Sequence, residues 1–270
     1  MTGIVIVNYR SDSLTTRFVK EELSKIVSPH RIIIVDVGGT FDKEVPGAEV
    51  IKEENIGFAH ACNAGAKRLK GEVSNILFTN NDVRLTSPDV VEVLEETLRR
   101  HPEAGAVGPE ILGPDGHRQG PSRYMGMWKR YVWMYLATPF ISAGRKRELF
   151  HIYEGDGAKE GPWNVISAAF ILVDAESFFK AGMFDENTFL YAEENILSER
   201  MGKIGKCFVF NPAVSVFHEK GVSISSSYNK RQSSFLQWKS MRYFYRNYRS
   251  YSRISCSLVD IIFRLILLVK

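Results

Sequence analysis

The sequence predicts an α/β fold organised around a mostly parallel, doubly wound sheet flanked by helices, with a helical C-terminal tail. Three observations predict it. Short β-branched runs alternate with helix-patterned stretches along the first hundred or so residues. Polar residues close several of those runs (Asn8, Asp36 and Asn80–Asn81–Asp82), and ligands of such sheets bind beyond the carboxyl ends of the strands. The last fifty residues change character, with Lys and Arg interleaved with aromatics.

Taken in order, residues 3–8 (GIVIVN) read as a buried strand. Ser11 or Asp12 can cap a helix whose apolar positions include Leu14, Phe18, Leu23 and Ile26. Residues 31–36 (RIIIVD) form a second strand that ends in the Gly38-Gly39 turn, and residues 48–52 a third. A helix over 59–70 leads to a fourth strand at 74–79 (SNILFT). The helix over 89–100 carries Val90, Val93, Leu94 and Leu98 on one face, and 105–108 starts another strand. Residues 113–161 are irregular and aromatic (Tyr124, Trp128, Tyr131, Trp133, Tyr135), as expected of a long excursion beside a site. Then follow a strand over 163–173, helices over 175–181 and 193–203, and short strands at 207–210 and 214–218.

Composition narrows the class. With 270 residues and 44% hydrophobic content the chain can bury a sizeable core. Cys62, Cys207 and Cys256 have no paired spacing, so neither a disulfide framework nor a zinc cluster is expected, and a reducing, cytoplasmic compartment fits. No signal peptide and no membrane-spanning helix are predicted. The net charge of +4 conceals an asymmetry: residues 220–270 hold ten Lys or Arg and one acid, Asp260, whereas residues 1–219 sum to −5. Residues 1–222 are therefore expected to form the chemical domain and 223–270 a separate basic, aromatic tail.

Five stretches in order, VIVNYRSDSL, IIIVDVGGT, NIGFAHACNAG, LFTNNDV and FDENTFLYAEENILSERMGKIGKCFVFNPAVSVFHEKG, resemble the family 2 inverting glycosyltransferases over roughly residues 3–222. The nearest likeness is to the bacterial rhamnosyltransferase-like branch that builds surface polysaccharides. The resemblance implies a Rossmann-like GT-A fold and a nucleoside-diphosphate sugar donor, with dTDP-rhamnose suggested by the branch and UDP-sugars left open. It implies a saccharide or polyprenyl-linked acceptor.

Carried onto this sequence, the resemblance puts Asn8, Tyr9, Asp36, Asn55, Gly57, Asn63, Asn80, Asn81 and Asp82 at the donor. Asp36 would accept the imide N–H of uracil or thymine; on residue type alone it is equally a turn former. Asn55 alone reads as a helix cap. Asp82 and His218 would hold Mn²⁺ or Mg²⁺, imidazole favouring the former. Glu194 would be the general base, with Glu193 as runner-up; paired acids at a helix start also complement its dipole. The sequence departs from the family at Val37, Gly39 and Ile196, has Asn80 for a metal-binding carboxylate, and has Glu194 where Asp is usual. Those departures keep a second class open: a catalytically decayed nucleotide-sugar-binding or scaffold protein on the same fold.

The tail suits an amphipathic helix lying on the cytoplasmic face of the inner membrane, or one packing on its own domain or on a second copy in a homodimer. It contains no nucleic-acid-binding module, and nucleic acid is not an expected partner.

Overall fold

A computed structural model describes residues 1–137, 140–142, 145, 159–219 and 229–269. The described residues form one nine-stranded sheet. The strands are β1 (Thr2–Asn8), β2 (His30–Asp36), β3 (Ala48–Lys52), β4 (Asn75–Thr79), β5 (Val83–Leu85), β6 (Ala104–Leu112), β7 (Gly161–Trp163), β8 (Phe170–Asp174) and β9 (Cys207–His218). Their order is β3-β2-β1-β4-β8-β6-β9-β5, with β7 also paired to β9. β1 to β4 run parallel, and β6 runs parallel to β9. β8 runs antiparallel to both β4 and β6, and so joins two parallel halves that point the same way. The carboxyl ends of β1, β2, β4 and β9 therefore share one edge, where Asn8, Asp36, Thr79 and His218 stand.

Both faces of the sheet are covered, which is why its strands are apolar throughout rather than alternating. Ile4, Ile6 and Leu77 pack on one side against α1 (Asp12–Glu21) and α3 (Val90–Arg100), with Phe18 and Leu94 between. Val5, Ile33 and Phe78 pack on the other against α2 (Phe58–Arg68), α5 (Ala175–Lys180) and α6 (Glu193–Lys203). Gly65 permits the α2 approach, since a Cβ there would stand 2.5 Å from Val5 Cγ1.

Three expected boundaries change. The first helix stops at Glu21, and Leu23 buries itself from a short 3₁₀ turn, Leu23–Lys25. The strand expected over 163–173 is two strands, because Ser167, Ala168 and Ala169 turn the chain: Phe170 N donates to Ser167 O. The two short strands at 207–210 and 214–218 are one strand, β9, with a register shift around Asn211, whose Oδ1 accepts from Ala213 N.

The tail forms two helices, α7 (Lys230–Tyr248) and α8 (Arg253–Val269), and α7 opens on an Asn229–Gln232 capping box. They do not stand apart from the body. Trp238, Phe244, Tyr245, Val259 and Phe263 share a core with Ile196 of α6 and with Tyr131 of a five-residue π-helix, Lys129–Trp133, which continues as α4 (Met134–Ala137). The Tyr131 ring lies 4.6 Å from Trp238 and 5.1 Å from Phe263, centroid to centroid. The boundary expected at 222/223 falls outside the described residues.

Candidate active site

A cleft of about 500 Å³ opens at the shared carboxyl edge. Its walls include Tyr9, Asn55, Gly57, Asn80, Asn81, Asp82, Glu193, Glu194 and His218. Segments far apart in sequence thus meet at one place, and Asp82 and Glu194 line the same cavity.

The Asp82 wall is held by β5. Val83 pairs with His218, and Glu219 N donates to Asp82 O at 3.0 Å. Asp82 Oδ1 and His218 Nε2 consequently lie 3.2 Å apart, both side chains nearly buried. Asn80 Nδ2 lies 3.1 Å from the same His218 nitrogen. Asn81 Nδ2 donates to Ser11 Oγ and Thr15 Oγ1, which ties the turn after β4 to α1. Among the described residues no group of three or more His, Cys, Asp or Glu converges, so Asp82 and His218 form a two-donor pair.

Another wall is the start of α6. Tyr191 and Ala192 both adopt left-handed backbone, with φ 71° and 73°, which is uncommon for residues with side chains and reverses the chain into the helix. The reversal aims Glu193 and Glu194 at the cleft. Glu193 is 3% exposed and its Oε1 has no hydrogen-bond partner among the described residues. Burial, and then the neighbouring Glu194 charge, push its carboxyl up to about 8. Burial also raises the Glu194 carboxyl, and the Arg130 guanidinium partly opposes that.

The segment before α6 is pinned from α2. Phe58 N donates to Phe189 O at 2.8 Å. Gly57 has φ 146°, and a Cβ there would sit 3.0 Å from Thr188 O, so glycine is what lets the two backbones touch. Asn63 Nδ2 donates to Phe184 O and Glu186 Oε1, and its Oδ1 accepts from Phe184 N.

Three expected donor residues therefore do not line the cleft. Asn63 spends its amide on the 184–186 segment. Asn8 is fully buried: it donates to Asp12 and Asp36, and accepts from Ser11 and Thr15. Asp36 is fully buried too, and its carboxylate accepts from Asn8 Nδ2, Gly38 N and Phe41 N at 3.0–3.1 Å. It shapes the turn after β2 and shows no surface to a base. In exchange the cleft gains Gln119, Ser122, Arg130, Tyr191 and Gln237, none of which the sequence reading singled out. Asp115-Gly116 does signal a turn, but no local pattern tells that Gln119 returns to the site. Arg130 is indistinguishable in sequence from any other cation in an aromatic stretch.

No family model matches the chain. An N-acetylglucosaminyl-diphospho-decaprenol L-rhamnosyltransferase of Mycobacterium tuberculosis is 27% identical over 250 residues, covering 82% of this chain and 76% of the relative. The O-antigen biosynthesis protein RfbC of Myxococcus xanthus is 27% identical over 169 residues, which are 60% of this chain and 12% of that protein. Among solved structures, the mannosyltransferase PcManGT from Pyrobaculum calidifontis, in complex with GDP-Man and Mn²⁺, superposes with a TM-score of 0.59 at 12% identity over 93% of this chain. GalNAc-T7 with UDP, GalNAc and Mn²⁺ gives 0.55 at 14% identity over 81%. The chain spans 65% of the first structure and 43% of the second. The chain has the GT-A fold of these transferases, and its sequence is related to a rhamnosyltransferase.

Proposed function

We propose that this GT-A chain, a relative of rhamnosyltransferases, is a glycosyltransferase that moves a sugar from a nucleoside-diphosphate donor to a saccharide or lipid-linked acceptor in polysaccharide or cell-wall synthesis. The observation that carries the reading is the meeting of two chemistries in one cleft: Asp82 just before β5 and His218 at the end of β9, with Glu193 and Glu194 from the start of α6.

Asp82 and His218 suit a divalent cation. Two ligands at about 2.1 Å on adjacent corners of an octahedron stand about 3.0 Å apart, close to the 3.2 Å observed. A carboxylate with an imidazole accepts Mn²⁺ readily and Mg²⁺ less so. With two protein donors, such an ion would leave room for diphosphate oxygens and water. Bound there, the ion would supply positive charge to the departing nucleoside diphosphate.

Glu194 is the general base. It lines the cleft beside Arg130, whose charge favours the ionised carboxylate, whereas Glu193 is buried deeper, and burial with the neighbouring Glu194 charge favours its protonated form. Glu194 takes the proton of the acceptor hydroxyl as that oxygen attacks the anomeric carbon, and the bond to the diphosphate breaks on the opposite face. One displacement inverts the centre. The transferred sugar follows the name of the relative, a rhamnose, carried on a nucleotide such as dTDP, with UDP-hexoses as the competing class.

A lipid-linked acceptor calls for a docking face on the membrane, and an exposed apolar stripe on the C-terminal helices supports that reading. Ile254, Leu258, Ile261, Leu265 and Leu268 form a continuous stripe on α8, each 48–75% exposed. Trp133 and Leu136 are exposed on the neighbouring segment, and Tyr135 of that segment packs edge-to-face against Phe263 of α8. No helix among the described residues is long and apolar enough to cross a membrane, so the face would rest on the surface, with the basic Lys129 and Arg253 toward anionic headgroups.

The test is turnover of dTDP-rhamnose and UDP-hexoses, with Mn²⁺, on a prenyl-diphosphate-linked GlcNAc acceptor. Product with inverted anomeric configuration, lost in Glu194→Gln, is expected. Donor binding without any transfer would make the chain a binding protein instead.

A further inference from the structure

We infer that Gln119 is a positioning residue that decides which nitrogen of His218 carries the proton, and so whether Nε2 offers a lone pair beside Asp82; the inference rests on reading Asp82 and His218 as the metal pair. Gln119 arrives from a tight hairpin after β6. Gly113 N donates to His117 O, Leu112 bridges Arg118, and Gln119 N donates to Ile111 O at 2.8 Å. Its side chain then meets His218 twice: Nε2 donates to the His218 carbonyl oxygen at 2.9 Å, and Oε1 lies 2.8 Å from His218 Nδ1.

Hydrogen-bond logic fixes the rest. A peptide carbonyl only accepts, so the amide NH₂ of Gln119 must be the end that faces it. The amide oxygen therefore faces Nδ1, and since that oxygen also only accepts, Nδ1 must carry a proton. In the neutral ring Nε2 is then a bare lone pair. That nitrogen is the one 3.1 Å from Asn80 Nδ2, a donor, and 3.2 Å from Asp82 Oδ1.

The two tautomers of His218 have opposite consequences. With the proton on Nδ1, Nε2 and Asp82 present two lone-pair donors to a cation. With the proton on Nε2, the ring would hydrogen-bond to Asp82 and close the pair to metal, since a coordinating nitrogen must be unprotonated. His218 is only 7% exposed, so water has little access to replace the amide. Gln119 holds the pair in its metal-accepting form. It also accounts for a use of the 113–119 hairpin beyond covering the sheet end.

The test uses the full chain, ¹⁵N-labelled at histidine and free of metal. Ring ¹⁵N shifts, with His218 assigned by its disappearance in His218→Asn, are expected to show the Nδ1–H tautomer in the wild type and a shift toward Nε2–H in Gln119→Leu. Gln119→Glu keeps an acceptor for Nδ1–H and is expected to restore the wild-type tautomer. Mn²⁺ titration is expected to be roughly 10–100-fold weaker in Gln119→Leu, the range for removing a hydrogen bond that orients a ligand, and largely recovered in Gln119→Glu. An Nε2–H tautomer in the wild type overturns the inference even if neither variant folds. So does unchanged Mn²⁺ affinity in a folded Gln119→Leu. If the tautomer follows Gln119 while the wild type binds no Mn²⁺, the positioning role stands and the metal reading falls.

Discussion

Asp82 Oδ1 and His218 Nε2 lie 3.2 Å apart because the three-residue strand β5 zips the turn after β4 onto the end of β9. The pair is a product of strand register: β5 places Val83 opposite His218, so Asp82 falls beside the imidazole.

That geometry predicts that both side chains share one ligand. Asp82→Asn and His218→Ala should each weaken Mn²⁺ binding at least tenfold, about 1.4 kcal/mol. The double variant should lose little beyond the worse single one, since the two act on one ion. Calorimetric Mn²⁺ titration with and without UDP or dTDP measures this. Fully additive losses would place the two residues at separate sites.

Glu194 should behave as a base whose ionised form is harder to reach than that of an ordinary carboxylate. Glu194→Gln should lower kcat by about 10²–10⁴-fold, the usual worth of a positioned base, with donor and Mn²⁺ affinity intact. Burial raises the Glu194 pKa, so activity should fall on the acid side at a pH above the ordinary carboxylate range, as the base gains its proton. Arg130→Gln removes the opposing charge and should move that limb further up. A pH–rate profile that is flat to pH 5 would remove Glu194 from the base role.

Glu193 predicts a stability effect of opposite cause. Unfolded, its carboxyl ionises near pH 4.3; folded, it keeps its proton to about 8. Between those values the native state holds more protons than the unfolded one, so this group makes the protein less stable as pH rises, and the loss levels off above about 8. Glu193→Gln cannot ionise and escapes the loss. It should melt at least about 2–4 °C above the wild type at pH 8, the shift that about 1 kcal/mol produces in a chain of this size, with the gap closing toward pH 5. An equal gap at both pH values would mean that charge at Glu193 is not the cause.

How far the sequence could be read is clear from which residues matched. Periodicity and strand-end polarity located the sheet and its polar carboxyl edge, because those signals are local, whereas the α6 acids entered the site only through the family resemblance. Asn8, Asp36 and Asn63 show where such reading stops. A buried polar residue at a strand end and one facing a ligand look identical in sequence, and only the count of protein partners separates them. Here Asn8 and Asp36 use their hydrogen-bonding atoms on one another, on the backbone after β2 and on α1. Gln119 and Arg130 were illegible for the converse reason: long-range hairpin and π-helix geometry carries ordinary polar residues into the cleft. The joining of the tail to the body through Tyr131 and Trp238 is likewise a tertiary fact that composition could not express.

Asp36 accordingly predicts a structural phenotype. In Asp36→Asn one oxygen becomes an NH₂ group, and either Phe41 N–H or the Gly38 and Asn8 donors must face it. One buried donor is stranded, which costs about 1–3 kcal/mol. Thermal melts should show that loss without any nucleotide present. An unchanged melting temperature together with a lost dTDP or UDP affinity would return Asp36 to the base-binding role.

The α8 stripe decides between a bilayer and a second copy. Residues 254, 258, 261, 265 and 268 are spaced four and three apart, so they share one helical face, while Val259, Phe263 and Cys256 on the other face are already buried. Ile261→Glu and Leu265→Glu change only solvent-facing positions, so the fold should persist. Each places a charge where an apolar contact would form. In flotation with phosphatidylglycerol–phosphatidylcholine vesicles the wild type should bind, raised salt should weaken binding as headgroup attraction is screened, and the double variant should lose at least tenfold. Sedimentation in the absence of lipid completes the argument: a wild-type dimer that dissociates in the double variant, with no vesicle binding by either, would give this face to a partner subunit and leave the acceptor to reach the cleft by another route.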